Sequence, residues 1–332
     1  MNSLFSSLRK RRDFIKTISA LPLAAAVPAI LAGKPGLRHS EILKNVEGKL
    51  PEGKLGDLTL SRMLIGCNQI SGYAHARDLN YANTLFKAYN TDEKVIETLH
   101  IAEMAGVTAA FMTNPNYPVF NRYLREMKGK MKSICQTYLK PADFLGDIDR
   151  AVDNGANALY IQGGEADRYV REGKIQELRK AVEHIKKKGF MAGVGAHALT
   201  VIRTCEEQNI PADFYVKTFH HDKYWSAHPV EQREEFSVDA KRSNDHNQIH
   251  DNMFDLFPDK TRDYMKTIKK PWIAFKVLAG GAILPADGFR FAFENGADFI
   301  CVGMFDFQVV DNVNSAFKVL TELKNREREW FS

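Results

Sequence analysis

Gly106-Val-Thr-Ala-Ala-Phe111, Gly155-Ala-Asn-Ala-Leu-Tyr160, Pro211-Ala-Asp-Phe-Tyr-Val216 and Gly296-Ala-Asp-Phe-Ile-Cys301 are copies of one phrase, and they decide the fold. Each closes a helical stretch with Gly or Pro. Each then opens, through a small or polar residue, into an apolar, β-favouring run. Glycine just past a helix end supplies the left-handed backbone that a C-cap needs, and a continuous apolar run is what a strand buried on both faces requires. Working outward from the copies predicts strands near 63–68, 107–112, 132–137, 157–162, 190–196, 213–219, 272–278 and 298–303. Amphipathic helices are predicted between them, among them Asp92–Ala105, Lys174–Lys188 and Pro285–Asn295. Thr91-Asp92-Glu93 and Pro285-Ala286-Asp287 place capping or acidic residues in first turns. Parallel strands need helical crossovers, and eight alternations close most simply on themselves. The expected fold class is α/β: a single (β/α)8 TIM barrel over residues 56–332. An open doubly wound sheet would need a glycine-rich first turn, and Gly66-Cys-Asn-Gln-Ile-Ser-Gly72 lacks the dinucleotide-loop pattern.

The other 55 residues read differently. Lys10-Arg11-Arg12-Asp13-Phe14-Ile15-Lys16 precedes an apolar run, Thr17–Ala32, that ends in small residues. Charged start, apolar middle and small-residue exit make an export signal, and the paired arginines point to the twin-arginine route. The run holds Pro22 and Pro28 and is shorter than the roughly 20 residues that span a bilayer, so membrane retention is the lesser reading. Residues 1–33 are expected to be a signal read by the export machinery, with delivery to the periplasm or cell exterior, and 34–55 a polar linker. The formal charge of +5 sits largely in residues 1–33, where five basic residues face Asp13 alone. The near-neutral remainder gives no electrostatic case for a nucleic-acid partner. Four cysteines without a CxxC exclude a cysteine zinc finger or a disulfide-dense scaffold, and each lies in or beside an apolar run as a buried thiol.

Several motifs carry a resemblance. Phe111-Met-Thr-Asn-Pro-Asn-Tyr117 resembles the segment after the second strand of aldo-keto reductase barrels. Lys276-Val-Leu-Ala-Gly-Gly281 is similar to their seventh-strand motif, and Val302-Gly303-Met304 with Gln308-Val309 to their eighth. The resemblance extends over about residues 57–320. It implies a reductase-type barrel, an NADP cofactor and a Tyr proton donor tuned by Lys and Asp, with a His beside it. Tyr117 matches the donor. Met112 stands at the Asp position, Gln136 or Thr137 at the Lys position and Gln162 or Gly163 at the His position, so the hydride tetrad is largely lost. Gly280, Gly281 and Gly303 would be cofactor-binding only if a phosphate or nucleotide site persists.

In a (β/α)8 barrel the residues at strand C-termini and in the loops after them face the active site. Glu165, His197, His220 and Tyr117 are the candidate proton-transfer residues. Candidate substrate-binding residues are Asn68, His75, Arg77 and Asn114 from the first two units and Gln136 and Gln162 from the next two. Lys217 and Lys276 join them, since a lysine in a barrel must be paired or carry a depressed pKa, as an anion-binding cation or a Schiff-base nucleophile would. Asp167 and Arg168 belong to the same rim, and an ion pair between Glu165 and Arg168 is the structural alternative for Glu165. The segment His220 to about Phe257 is an unusually long loop after strand six and holds five of the ten histidines. His220, His221, His246 and His250, with carboxylates beside them, are a candidate site for a divalent metal; a polar lid is the alternative.

These features lead to the expectation of an exported enzyme performing acid–base chemistry, with or without a metal, of the lyase, isomerase, epimerase or hydrolase kind on a small, polar, sugar-like molecule. One alternative is an oxidoreductase with tightly held NADP; the other is a non-catalytic ligand-binding barrel.

Overall fold

The computed structural model describes residues 43–236, Asp245, His250 and 255–332. The signal motif and His246 lie outside the described residues. Eight parallel strands close into a barrel: β1 (Met63–Ile65), β2 (Ala109–Met112), β3 (Lys132–Thr137), β4 (Ala158–Ile161), β5 (Ala192–Ala196), β6 (Phe214–Thr218), β7 (Trp272–Phe275) and β8 (Phe299–Val302). β8 pairs with both β7 and β1, through Ile300 with Ala274 and Cys301 with Leu64. Each strand falls within its expected window.

The recurring phrase works as its chemistry requires. Gly106, Gly155 and Gly296 have φ of 97°, 89° and 100°, the left-handed backbone open to glycine at little cost. The next N–H reaches five residues back in each case: Val107 to Ala102, Ala156 to Ala151 and Ala297 to Ala292. These bonds satisfy helix carbonyls and turn the chain directly into β2, β4 and β8. In the Pro211 copy Asn209 takes the left-handed position at φ 53°.

The helical layer comprises α1 (Ala82–Tyr89), α2 (Asp92–Met104), α3 (Tyr117–Glu126), α4 (Gly146–Asp153), α5 (Gly163–Arg171), α6 (Ile175–Lys187), α7 (Leu199–Glu207), α8 (Pro258–Met265), α9 (Pro285–Glu294) and α10 (Val309–Glu322). None of these is long and apolar enough to cross a membrane. A single residue, Gln162, separates the end of β4 from the start of α5, where the sequence reads as a glycine loop. Gln162 makes this start: its side-chain oxygen accepts the Glu165 N–H as an N-cap.

Residues 50–55 are not linker. Glu52–Leu55 and Leu58–Ser61 form an antiparallel hairpin. Leu55 and Leu60 are buried in the same apolar cluster as Leu64, Phe111, Tyr160, Phe214 and Phe299. Apolar residues at 50, 55, 58 and 60 give this edge a reason to fold that its charged neighbours hide. Inside the barrel β5 contributes glycine because space is exhausted. A Cβ on Gly195 would lie 2.8 Å from the Gly163 nitrogen and the Ile161 oxygen, backbone atoms that cannot give way. All four cysteines are buried and free.

Candidate active site

The end of β5 carries the site's central pair. His197 follows Ala196 directly, and its Nδ1 lies 2.7 Å from Oδ2 of Asp167 on α5. Asp167 Oδ1 accepts the backbone N–H of His197 at 3.2 Å and of Ala198 at 3.1 Å. Three N–H groups therefore converge on one carboxylate in a site where both side chains are about 5% exposed or less. The carboxylate can only accept, so the ring proton sits on Nδ1 and Nε2 carries the lone pair. The imidazole packs against Phe275, with centroids 5.6 Å apart. Burial lowers the His197 pKa below its usual value; Asp167 opposes that shift, and the Lys276 and Lys217 charges add to it. The product is a neutral, oriented base.

Lys276 stands across from this pair at the end of β7. Its Nζ is 2.9 Å from Nε2 of His75, in the loop after β1. Burial, then the charge of Lys276, then that of His197 bring the His75 pKa down to about 3. A neutral His75 with its Nε2 lone pair toward Nζ accepts from the ammonium. Lys276 has φ 55°, a costly backbone for a side chain with a Cβ and one that concentrates at functional sites. On the barrel's inner face Tyr160 donates to the Gln136 oxygen at 2.7 Å, and the Gln136 amide donates to Tyr138 Oη at 2.8 Å.

Other expected residues have structural work. Tyr117 is 1% exposed, on α3, and its hydroxyl pairs with Ser133 Oγ at 3.1 Å. Burial pushes its pKa well up. It is a core tyrosine and not a proton donor at the mouth. Glu165 pairs with Arg168 at 2.7 Å within the first turns of α5, so the structural alternative holds and the neighbouring Asp167 is the carboxylate that matters. Lys217 does not face the barrel interior. Phe214 and Val216 point inward, while Tyr215 bonds Glu206 on α7 and Lys217 reaches Asp255 at 3.3 Å. Asp255 is steadied by Thr261 on α8 at 2.9 Å. Asn114 ties helices together, donating to the Asp147 carbonyl and accepting from Asn154. Gln162 is the α5 cap, and Asn68 holds the first loop through its carbonyl, which accepts from Tyr73 N–H.

His220 is fully buried and both ring nitrogens are engaged. Nδ1 bonds the His221 carbonyl at 2.7 Å, and Nε2 accepts the Asp255 N–H at 2.9 Å. His221 Nδ1 accepts the Lys223 N–H, and the His250 ring packs on His228. Among the described residues no group of three or more His, Cys, Asp or Glu side chains is placed to hold a metal. His220 is a strut between β6 and the returning chain, and not a proton-transfer group or ligand.

The turn at the glycines after β7 is bonded largely within itself. The N–H groups of Ala279, Gly281, Ala282 and Ile283 all donate within the turn around Gly280 and Gly281. At Gly303 the Gln69 amide fills the space a Cβ would take. Those four N–H groups are spent within the turn and do not cradle a phosphate.

Burial brings the His220 pKa down to about 3, against about 6.5 when unfolded. Below pH 6.5 the unfolded chain binds a proton that the folded chain refuses. Stability therefore falls on acidification, by about 2 kcal/mol between pH 7.5 and 5 from this residue. His220→Gln should keep both hydrogen bonds and flatten that part of the dependence. Melting curves at the two pH values check it; an equal pH effect in the variant contradicts it.

No known family profile matches the chain, and no curated protein sequence matches it. Solved structures do. A Pseudomonas aeruginosa protein assigned as an aldo-keto reductase overlays with a TM-score of 0.53 at 14% identity, covering 83% of this chain and 98% of that one. A FabK variant from Thermotoga maritima gives 0.41 at 12% identity, covering 79% of this chain and 64% of that one. An N-acetylneuraminic acid synthetase from Leptospira borgpetersenii, in complex with citrate, gives 0.45 at 8%, covering 85% and 94%. The first likeness supports an aldo-keto reductase-like barrel as the fold; the other two are too loose to add to it.

Proposed function

We propose that this chain is a barrel enzyme exported by the twin-arginine route that moves protons on a small, polar, sugar-like substrate, with His197 as its base. The observation that carries the reading is the buried His197–Asp167 pair at the C-terminal end of β5. Nε2 takes a proton from a substrate carbon or hydroxyl and later returns it. Asp167 holds the tautomer and stabilises the imidazolium that forms between the two steps. The Lys276 ammonium supplies positive charge for an oxyanion that develops as the proton leaves. The hydroxyl and amide chain of Tyr160, Gln136 and Tyr138 offers neutral donors and acceptors for sugar hydroxyls. Isomerisation, epimerisation and elimination all begin with such a proton removal.

Proton NMR in deuterium oxide, over a panel of aldoses, ketoses and their acids, tests the proposal. The chain should wash deuterium into one carbon position of at least one compound, and His197→Asn should not. The rate should fall with acid as pH drops through the His197 pKa, below 6.5, because the protonated ring has no lone pair. A silent panel, or exchange untouched by the substitution, sinks the reading. Nicotinamide co-purifying with the chain would point instead to hydride transfer.

A further inference from the structure

We propose that Arg77 forms an oxyanion subsite at the barrel mouth, holding a carboxylate or phosphate of the substrate on the free edge of its guanidinium. This rests on the proton-transfer reading and narrows it: the substrate is a small anion, a sugar acid or a sugar phosphate.

Arg77 is half-buried in the loop after β1. Its guanidinium lies over the Trp225 ring, 4.2 Å from the centroid, and Nη1 makes one long bond of 3.4 Å to Ser226 Oγ. Among the described residues these are its polar and ring contacts, and no carboxylate reaches it. The Nε is buried from water and has no acceptor. A buried donor left without a partner costs about 1–3 kcal/mol, and such a group in a folded protein calls for an explanation. Nε and Nη2 form one edge of the guanidinium, two parallel N–H groups matched to two oxygens of a carboxylate or phosphate. Stacking on Trp225 fixes the plane of that edge.

Two further observations place this edge at the site. Arg77 has φ 50°, left-handed backbone that a residue with a Cβ adopts only when its surroundings hold it there. His75, two residues earlier, pairs with Lys276 at the end of β7, and Trp225 and Ser226 belong to the segment after β6. The loop carrying Arg77 therefore spans the same barrel face on which His197 stands.

Calorimetric titration of the full chain with inorganic phosphate, with malonate and with neutral glucose tests the subsite. At least one anion should bind saturably, weakening as salt is raised. Arg77→Gln should lose about tenfold or more in affinity, about 1.4 kcal/mol. Arg77→Lys keeps the charge without the fork and should fall between them. Phosphate alone binding selects phosphate esters, and malonate alone selects acids. His197→Asn should bind the anion as the unaltered chain does, so a failed base leaves the subsite standing. If neither anion binds, or if both arginine variants bind like the parent with unchanged melting curves, the subsite is refuted.

Discussion

Asp167→Asn should lower turnover by about 10⁴-fold, the drop seen where a histidine base loses the group that sets its tautomer. The cause can be traced through the hydrogen bonds. Oδ1 of Asp167 accepts two backbone N–H groups, from His197 and Ala198, while Oδ2 faces His197 Nδ1 at 2.7 Å. An asparagine must keep its oxygen toward the two amides, because an NH2 there would meet donors. Its NH2 then faces Nδ1 and requires a lone pair, so the ring proton moves to Nε2 and the base disappears. Nitrogen-15 NMR of the histidine ring reads this without a substrate: proton on Nδ1 in the parent chain, on Nε2 in the variant. An unchanged tautomer contradicts the assignment of Asp167 as the positioning residue.

Arg328→Met should destabilise the fold by about 3–5 kcal/mol, the cost of breaking a buried ion pair from one side. Arg328 is 4% exposed and Asp298 fully buried. The guanidinium donates to Asp298 at 2.8 Å and to the carbonyls of Ile268, Lys270 and Gly296. Removing it leaves a charge and several carbonyls without their donor. The tail it anchors is gripped elsewhere as well: Trp330 packs against Arg62 at 3.8 Å and Arg326 at 3.3 Å. Thermal melting should show a fall of roughly 6–15 °C. Asp298→Asn added to Arg328→Met should recover part of it, since it removes the unpaired charge while an amide oxygen can still accept the Trp272 N–H. A single-variant loss below about 1 kcal/mol would show that the tail is dispensable.

Much of the architecture is legible in the chain itself. The four-fold phrase, with glycine at a left-handed cap and a continuous apolar run behind it, specifies helix end and buried strand through local sterics and hydrophobicity. Residues within a few positions of each other settle both. The same reasoning placed His197 at a strand end, and Lys276, His75 and Arg77 at the mouth. It put Glu165 forward and left Asp167 as a rim residue without a role, because the glycine pair at 163–164 hides a helix that Gln162 caps one residue after β4 ends. Helical spacing then decides which carboxylate reaches β5. The hairpin at 52–61 was hidden likewise, its few leucines scattered among charges.

What local chemistry determines here is therefore the succession of strands and helices and the closed barrel they build. Which polar side chains meet is a different matter. Asp167 and His197 are 30 residues apart, His75 and Lys276 are 201 apart, and Lys217 turns outward to Asp255 by the two-residue alternation of its strand. Those pairings follow from the register and curvature of the whole barrel, which bring distant segments within hydrogen-bonding reach, and an ion pair or an oriented imidazole exists only once that geometry is complete.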